Sequence, residues 1–394
     1  MIPVSFSPTS NEIKQFSEKC PDMSFNFKEV EYTYNSFNVN EILSTVLPEN
    51  LPAVTNFAQI GHICHLNLRK VHEPYEELIG EVILDKVNNC RTVVVKEKAI
   101  ENEFRTLPLK IIAGEKTATS LICEHKEHGC VFAMNFETVY WNSRLQEEHH
   151  NVSQFIIDRC QNRENGKRIH VIDACCGIGP FVIPIAKAKK KVVKNQNIGS
   201  IFANDLNPES MKWMIKNTWL NKVDGYVEFN TENGEIKPMD GVDFIKDCFL
   251  KTDESTNEKI LSLDSEVIIL MNLPRFSVSE LMPRMVGMFA DSTDNSTENI
   301  GNPESIKIIA HHMSPEKGDT LIDKKADPEG VFEQVQGELP EGFKLEQFWN
   351  VRQLVGEKYL RILVDVESSV LFGKKINSGE PVEKKAKLSE NESK

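Results

Sequence analysis

The chain predicts an α/β protein in which a parallel sheet follows a small N-terminal module and an α+β segment, and three observations carry that expectation. Apolar runs at 169–172, 200–203, 266–271 and 306–310 recur in series, with helical stretches such as 181–190 and 208–221 between them. That is the order of an alternating β/α domain. Two extended stretches, 343–351 and 359–366, come after them as a candidate antiparallel hairpin. Finally, Val171-Ile172-Asp173-Ala174-Cys175-Cys176-Gly177-Ile178-Gly179-Pro180-Phe181 runs from a strand through a Gly-x-Gly turn into a helix. A ligand-binding end of a sheet is built this way, because glycine lets the backbone bend sharply and approach a ligand.

The other elements are read in chain order. Residues 40–46 read as a helix that stops at Pro48, after aromatic, turn-prone sequence, and 1–50 is expected to be a small module of its own. Over 51–150 strand signals dominate, at 81–84, 91–95, 109–113 and 130–136, which predicts an α+β middle domain. Residues 152–160 read as a helix, and 151–373 as the β/α domain. The segment 374–394 is rich in Lys, Glu, Ser and Asn with almost no apolar content and is expected to be disordered.

Composition bounds the function. A chain of 394 residues with 40% apolar content has material for more than one core. No window holds eighteen consecutive apolar residues, so no membrane span is expected. Residues 1–19 carry Glu12 and Glu18, no Arg and no apolar run, unlike a secretory signal. Nine cysteines, an odd number, fit a reducing compartment. The formal charge of −13 argues against a nucleic-acid partner taken as a whole, since phosphate contacts need Lys and Arg. Acid is concentrated at 240–266 and 291–304, however, so a local basic face elsewhere remains compatible with one.

The glycine turn has an acidic partner. The next strand ends at Ala203-Asn204-Asp205-Leu206-Asn207-Pro208, and an acid at the tip of a second strand is placed to accept ribose hydroxyls. The plain alternative for Asp205 is a helix N-cap ahead of Pro208. Asp240-Gly241 reads as the tip of a third strand, where an adenine amino group would be held, or simply as a turn dipeptide. Gly177, Gly179, Asp205, Asp240 and Gly241 in this order predict a nucleoside-binding domain. Asn272-Leu273-Pro274 succeeds the run 267–271, and an amide stiffened by a nearby proline suits a planar base; a bare strand end is the alternative. Cys123, His125, His128 and Cys130 carry zinc-capable atoms, but their spacing is not that of a standard structural site, and no metal is expected.

Several blocks now make the resemblance specific: Ile60-Gly61-His62-Ile63-Cys64-His65-Leu66-Asn67-Leu68-Arg69, the run from Tyr75 to Lys86, Val139-Tyr140-Trp141-Asn142-Ser143-Arg144-Leu145, the Gly177 turn, Asn204 to Ser210, and Met271 to Pro274. In this order they resemble the archaeal and eukaryotic tRNA (guanine-37-N1)-methyltransferases over about 30–370. The resemblance implies a Rossmann-like seven-stranded methyltransferase sheet behind a tRNA-recognition module and a middle domain. It implies S-adenosylmethionine as methyl donor, no metal, and a monomer acting on tRNA with G37. It carries over cytoplasm, nucleus and mitochondrial matrix as compartments.

Residue by residue, the resemblance makes Glu148 the general base, His149 a contact of the donor, and Arg105 the cation that positions guanine and stabilises O6. Gly177, Gly179, Asp205, Leu206, Asp240, Gly241 and Asn272 match donor-binding positions, and Pro274 completes the Asn-Leu-Pro motif. Tyr140 and Arg144 fall on the substrate side. Without the resemblance, Glu148 reads as a solvated helix residue, Arg105 as surface, and Tyr140-Trp141 as core. The departures are Cys175-Cys176 where the family has Phe-Ala, Ser143 where it often has Pro, Arg275 where it often has Ala, and a longer 188–200. The alternatives are the related aminocarboxypropyl transferase of wybutosine synthesis and a catalytically idle tRNA-binding protein.

Overall fold

The computed structural model describes residues 14–15, 18–19 and 32–372, apart from 55–56, 98–103, 105, 107, 164–166, 192–196, 233, 254, 263, 291–299, 302, 316–327 and 355–356. The segment 374–394 lies outside the described residues. The chain forms two compact units: one takes residues up to 102, 106–125 and 135–137, the other 103–105, 126–134 and 138 onward.

In the first unit, helix α1 (Val39–Val46) starts at a capping box in which Asn38 Oδ1 accepts from Glu41 N–H at 3.0 Å and Glu41 Oε2 accepts from Asn38 N–H at 2.8 Å. Strands β1 (Phe57–Ile60), β2 (Ile63–Leu66), β3 (Thr92–Lys96) and β4 (Leu109–Gly114) form one sheet in that order. Helix α2 (Glu76–Lys86) contains 81–84, expected above as a strand. Three apolar residues in a row, Val82 to Leu84, satisfy both periods. Here the acidic first turn at Glu76 and Glu77, and the burial of Ile79, Val82 and Ile83 on one face, decide for helix. Ile42 and Leu43 of α1 share a core with Ile79, Val93 and Ile112. The helix of the expected 1–50 module is therefore packed into the same core as β3 and β4.

The second unit holds the sheet. Helix α3 (Gln146–Gln161) spans the boundary expected at 150/151, so residues 138–150 belong with the sheet and not with the middle segment. A hairpin of strands β5 (Ile122–Glu127) and β6 (Cys130–Asn135), of which residues 126–134 fall in this unit, turns at His128 and Gly129, both at positive φ. Then β7 (Arg168–Asp173), α4 (Val182–Lys191), β8 (Ile198–Ala203), α5 (Pro208–Leu220), α6 (Gly241–Leu250), β11 (Ser265–Met271) and β12 (Ser305–Pro315) alternate, with a short ribbon of β9 (Thr231–Glu232) and β10 (Glu235–Ile236) before α6. The hairpin of β13 (Phe343–Leu354) and β14 (Glu357–Val366) closes the sheet as expected.

The sheet order is β13-β14-β12-β11-β7-β8, with β12, β11, β7 and β8 mutually parallel and the hairpin antiparallel. The seventh position beside β8 holds a single parallel bridge, Phe202 with Glu228, rather than a full strand. Glu228 N–H donates to Ile201 O at 2.8 Å and Ala203 N–H to Glu228 O at 2.9 Å. All seven residues of β11 are buried, and from Val267 to Met271 the strand is an unbroken apolar run.

Two polar devices fix the parts around the sheet. Asn217 of α5, fully buried, exchanges bonds with Ala133 N–H (2.7 Å) and Ala133 O (3.1 Å) and also donates to Ile178 O (3.1 Å). It ties β6 and the glycine turn to one helix. At the far end of α3, Arg159 and Arg163 converge on buried Glu266 at the start of β11. The helix that carries Glu148 is thereby anchored to the central strand.

Candidate active site

The turns after β7, β8 and β11 lie side by side, as ligand-binding turns of a parallel sheet do. Cys176 N–H donates to Asn204 O at 2.8 Å, and Ala174 N–H to Leu270 O at 3.2 Å. They open on a cavity lined by Tyr140, His149, Gly177, Asp205, Leu206, Asp240, Gly241 and Asn272, so eight of the residues singled out in the sequence meet in one place. Phe104, Trp141, Ile178 and Leu273 add apolar surface.

The two glycines of the turn do different work. Gly177, at φ 53°, faces open space: a Cβ there would meet nothing within 4 Å. Gly179, at φ 95°, has Met214 Sδ of α5 where its Cβ would stand, with Ile183 close behind. It lies outside the cavity lining, so packing against α5, rather than approach to a ligand, requires glycine at 179.

Asp205 is not the N-cap of α5; Asn207 is, accepting from Glu209 N–H at 3.0 Å. The Asp205 carboxylate instead takes Gly177 N–H on Oδ2 and Asn207 N–H on Oδ1, both at 2.9 Å, with Ser210 bonded to it as well. It staples the glycine turn to the tip of β8 while lining the cavity. Burial pushes its carboxyl above the ordinary value, and these hydrogen bonds only partly offset that. Asp240 ends no regular strand. It caps α6, accepting from Val242 N–H (2.9 Å), and makes a two-pronged pair with Arg284 (2.7 and 2.9 Å). Burial works to raise its carboxyl, but Arg284 and the backbone donors prevail and hold it below the usual carboxylate range.

Asp173, which in the sequence marks only the end of a strand, is a fully buried carboxyl directly beneath the turn. Oδ1 accepts from Cys175 N–H at 3.3 Å, and Oδ2 has no partner among the described residues. Desolvation pushes it up to about 8, the Cys175 bond opposing and the charge of Asp205 adding. A raised native pKa means that the folded protein keeps a proton which the unfolded chain releases above the ordinary carboxylate pKa. Stability is therefore expected to fall as pH rises from about 4 toward 8. Asp173→Asn should remove that part of the slope; identical slopes for both proteins in urea melts between pH 5 and 8.5 would count against it.

Next to the cavity, α3 presents Glu148 and His149, both buried. His149 Nδ1 lies 2.9 Å from Glu127 Oε2, and its ring meets Trp141 and the edge of Phe181. Glu148, 7% exposed, is not the solvated helix residue its polar neighbours suggest. Its Oε1 lies 3.0 Å from His311 Nε2 and 3.4 Å from Arg361 Nη1. Asn272 Oδ1 accepts from the Tyr359 hydroxyl at 3.4 Å. Pro274 is buried outside the cavity lining, its carbonyl accepting from Met313 N–H at 3.0 Å. Arg144 is exposed on the short turn capped by Asn142 and lies outside the lining too. Arg105 lies outside the described residues. Of the zinc-capable set, His128 pairs with Glu147 at 3.3 Å and stacks on His150.

Sequence reasoning missed His311, Tyr359, Arg361, Glu127 and Arg284. One faint signal existed for the strand residues. Tyr359 and Arg361 alternate on a run otherwise apolar, which places a polar pair on one face of a buried strand.

Comparison with known proteins agrees with this geometry. Residues 123–266 match the TRM5/TYW2 methyltransferase domain, and residues 39–117 match the TYW2 N-terminal domain. The chain is 40% identical over 261 residues to a tRNA (guanine(37)-N(1))-methyltransferase of Caenorhabditis elegans, covering 64% of this chain and 50% of that protein. It is 34% identical over 369 residues to the protein of the same name from Xenopus tropicalis, covering 92% and 65%. The chain thus spans about half to two thirds of the length of these curated relatives. Its fold matches that of Trm5b from Pyrococcus abyssi with a TM-score of 0.56 at 20% identity, over 91% of this chain and 96% of that one. With its domain matches and its relatives in agreement, the chain belongs to the TRM5/TYW2 methyltransferase family.

Proposed function

We propose that the chain methylates N1 of guanine-37 in tRNA, with S-adenosylmethionine as methyl donor. The observation that carries this reading is a buried carboxylate, Glu148, one residue from a side chain that lines the cavity at the carboxyl ends of the strands. The relatives' shared name points the same way. The residues present fit such a donor: Gly177 leaves room for close approach, the Asp205 carboxylate offers a charged acceptor, and Ile178 and Leu206 offer apolar surface for a base.

When bound, the sulfonium donor supplies an electrophilic methyl group, so the protein's own task is to prepare guanine. N1 carries a proton at neutral pH, and its lone pair becomes available only as that proton leaves. Glu148 takes the proton. Negative charge then builds on O6, where Arg105 is the cation assigned to meet it. The Asn272 amide, its oxygen engaged by Tyr359, keeps an N–H group for the base or the donor. Tyr140, half-buried on the cavity wall, offers a face for stacking the extruded nucleotide.

This chemistry predicts the substrate. Adenine N1 has no proton to give and adenine has no O6, so a tRNA transcript with A37 should react at least about 100-fold more slowly than one with G37, the scale of a lost proton transfer. Inosine keeps both groups, so the same chemistry extends to inosine-37. The second reading, transfer of an aminocarboxypropyl group, has one observation in its favour, the match of residues 39–117 to the TYW2 N-terminal domain. Mass spectrometry of nucleosides from both transcripts separates the two. Methylguanosine from G37 alone supports the proposal, while comparable reaction of A37, or a heavier adduct, refutes it.

A further inference from the structure

Three side chains of the C-terminal half of the sheet gather on one face behind the carboxylate. His311 of β12 and Arg361 of β14 are cross-strand partners, and Tyr359 is two residues from Arg361 on the same face. The His311 ring is stacked between Phe181 (6.1 Å, 20°) and Tyr359 (5.4 Å, 18°). The Arg361 guanidinium lies 4.2 Å above the Trp349 ring, and its Nη1 stands 3.4 Å from Oε1 and 3.5 Å from Oε2 of Glu148. Both His311 and Arg361 are buried. A buried arginine and histidine spent on one carboxylate are costly unless that carboxylate must be held in a particular state.

The hydrogen-bond pattern fixes the proton on the imidazole. His311 Nδ1 is buried with no partner among the described residues, so an N–H there would be an orphaned donor. The proton therefore sits on Nε2, which donates to Glu148 Oε1. Burial pushes the His311 pKa down, more than the Glu148 charge pushes it up, and Arg361 and His149 add to the lowering. His311 is thus a neutral donor and has no free site on Nε2 to take a proton from Glu148.

We infer that His311 and Arg361 are positioning residues for the general base, together holding the Glu148 carboxylate in place and fixed in orientation. This rests on the reading of Glu148 as that base. With Oε1 engaged by His311, the N1 proton passes to Oε2. The N1 lone pair then forms the bond to the methyl carbon as the carbon–sulfur bond breaks. No proton moves onto His311.

His311→Phe keeps a flat ring between Phe181 and Tyr359 and removes only the donor, whereas His311→Gln restores an N–H near Nε2. At saturating donor and tRNA, His311→Phe should lower the single-turnover methylation rate roughly tenfold to a hundredfold, the range for a hydrogen bond to a charged group. The acid limb of its pH–rate profile should move to higher pH, because the ionised carboxylate has lost a donor. His311→Gln should recover to within a few-fold of wild type, and donor affinity should be unchanged in both. Arg361→Gln should move the acid limb the same way and Arg361→Lys should largely restore it, which gives an independent reading if the histidine variant folds poorly. In a Glu148→Gln background, His311→Phe should cost almost nothing further. A full additional loss there, or an unmoved acid limb in both His311→Phe and Arg361→Gln while Glu148→Gln alters the profile, would overturn the inference and leave Glu148 as base. A profile that Glu148→Gln itself leaves unchanged would remove the base, and this inference with it.

Discussion

Glu148→Gln is expected to lower the single-turnover methylation rate by roughly 10²–10⁴, the usual contribution of a general base, while donor and tRNA affinity stay close to wild type. Glutamine has nearly the same shape, and its amide oxygen can keep the bond from His311. What it cannot do is accept the N1 proton. The wild-type rate should rise with pH as the carboxylate ionises, and the variant should lose that rise or show it at higher pH. The competing account has Glu148 serving only to neutralise Arg361 inside the fold, with water taking the proton. Glutamine leaves that buried guanidinium without its counter-charge, and breaking a buried pair costs on the order of 3–5 kcal/mol. Both accounts therefore allow a loss of stability, so melting alone does not separate them. Rates measured across pH do. A small rate loss with an unaltered profile would sink the general-base role, whatever happens to the melting temperature.

That competing account exists only because the structure supplies partners for Glu148 that no sequence pattern announces. The sheet, its hairpin and the glycine turn were legible because each has a local signature: an apolar run, a turn glycine, a period. Glu148 was legible only through resemblance, since its neighbours Glu147, His149 and His150 give α3 a polar start that looks solvated. Its burial depends on β12 and β14, which lie 163 and 213 positions away at His311 and Arg361. No local pattern encodes a contact at that separation. Residues 81–84 failed for the opposite reason, because three apolar residues in a row, Val82 to Leu84, fit two periods equally and tertiary burial made the choice. Asp240 was placed at a strand tip because the order of motifs implied one. Among the described residues a one-residue bridge at Glu228 stands there, and the carboxylate serves as a helix cap paired with Arg284, whose place opposite it is again non-local.

Asp205→Ala should weaken donor binding by roughly 10²–10⁴, taking about 1.5–3 kcal/mol for each hydrogen bond lost to a charged acceptor and two such bonds to a ribose. The structure adds a second route to the same loss. The carboxylate now holds Gly177 N–H and Asn207 N–H, so alanine leaves two backbone donors of the turn to find other partners. Asp205→Asn separates these routes. Its carbonyl oxygen retains one acceptor for the turn, while the charge and the second acceptor are gone, so binding should weaken by roughly tenfold to a hundredfold with less loss of stability. The pH dependence gives an independent sign. Burial raises the Asp205 carboxyl above its ordinary value, so part of the wild-type protein is still protonated where a surface aspartate would be ionised. The ionised form is the better acceptor, and donor affinity should accordingly increase as pH rises through that raised value, while the asparagine variant stays flat. Calorimetric titration of the donor analogue S-adenosylhomocysteine into each protein across pH 5–8 checks both claims. If the alanine variant folds and binds as tightly as wild type, Asp205 braces the turn and takes no part in holding the ribose.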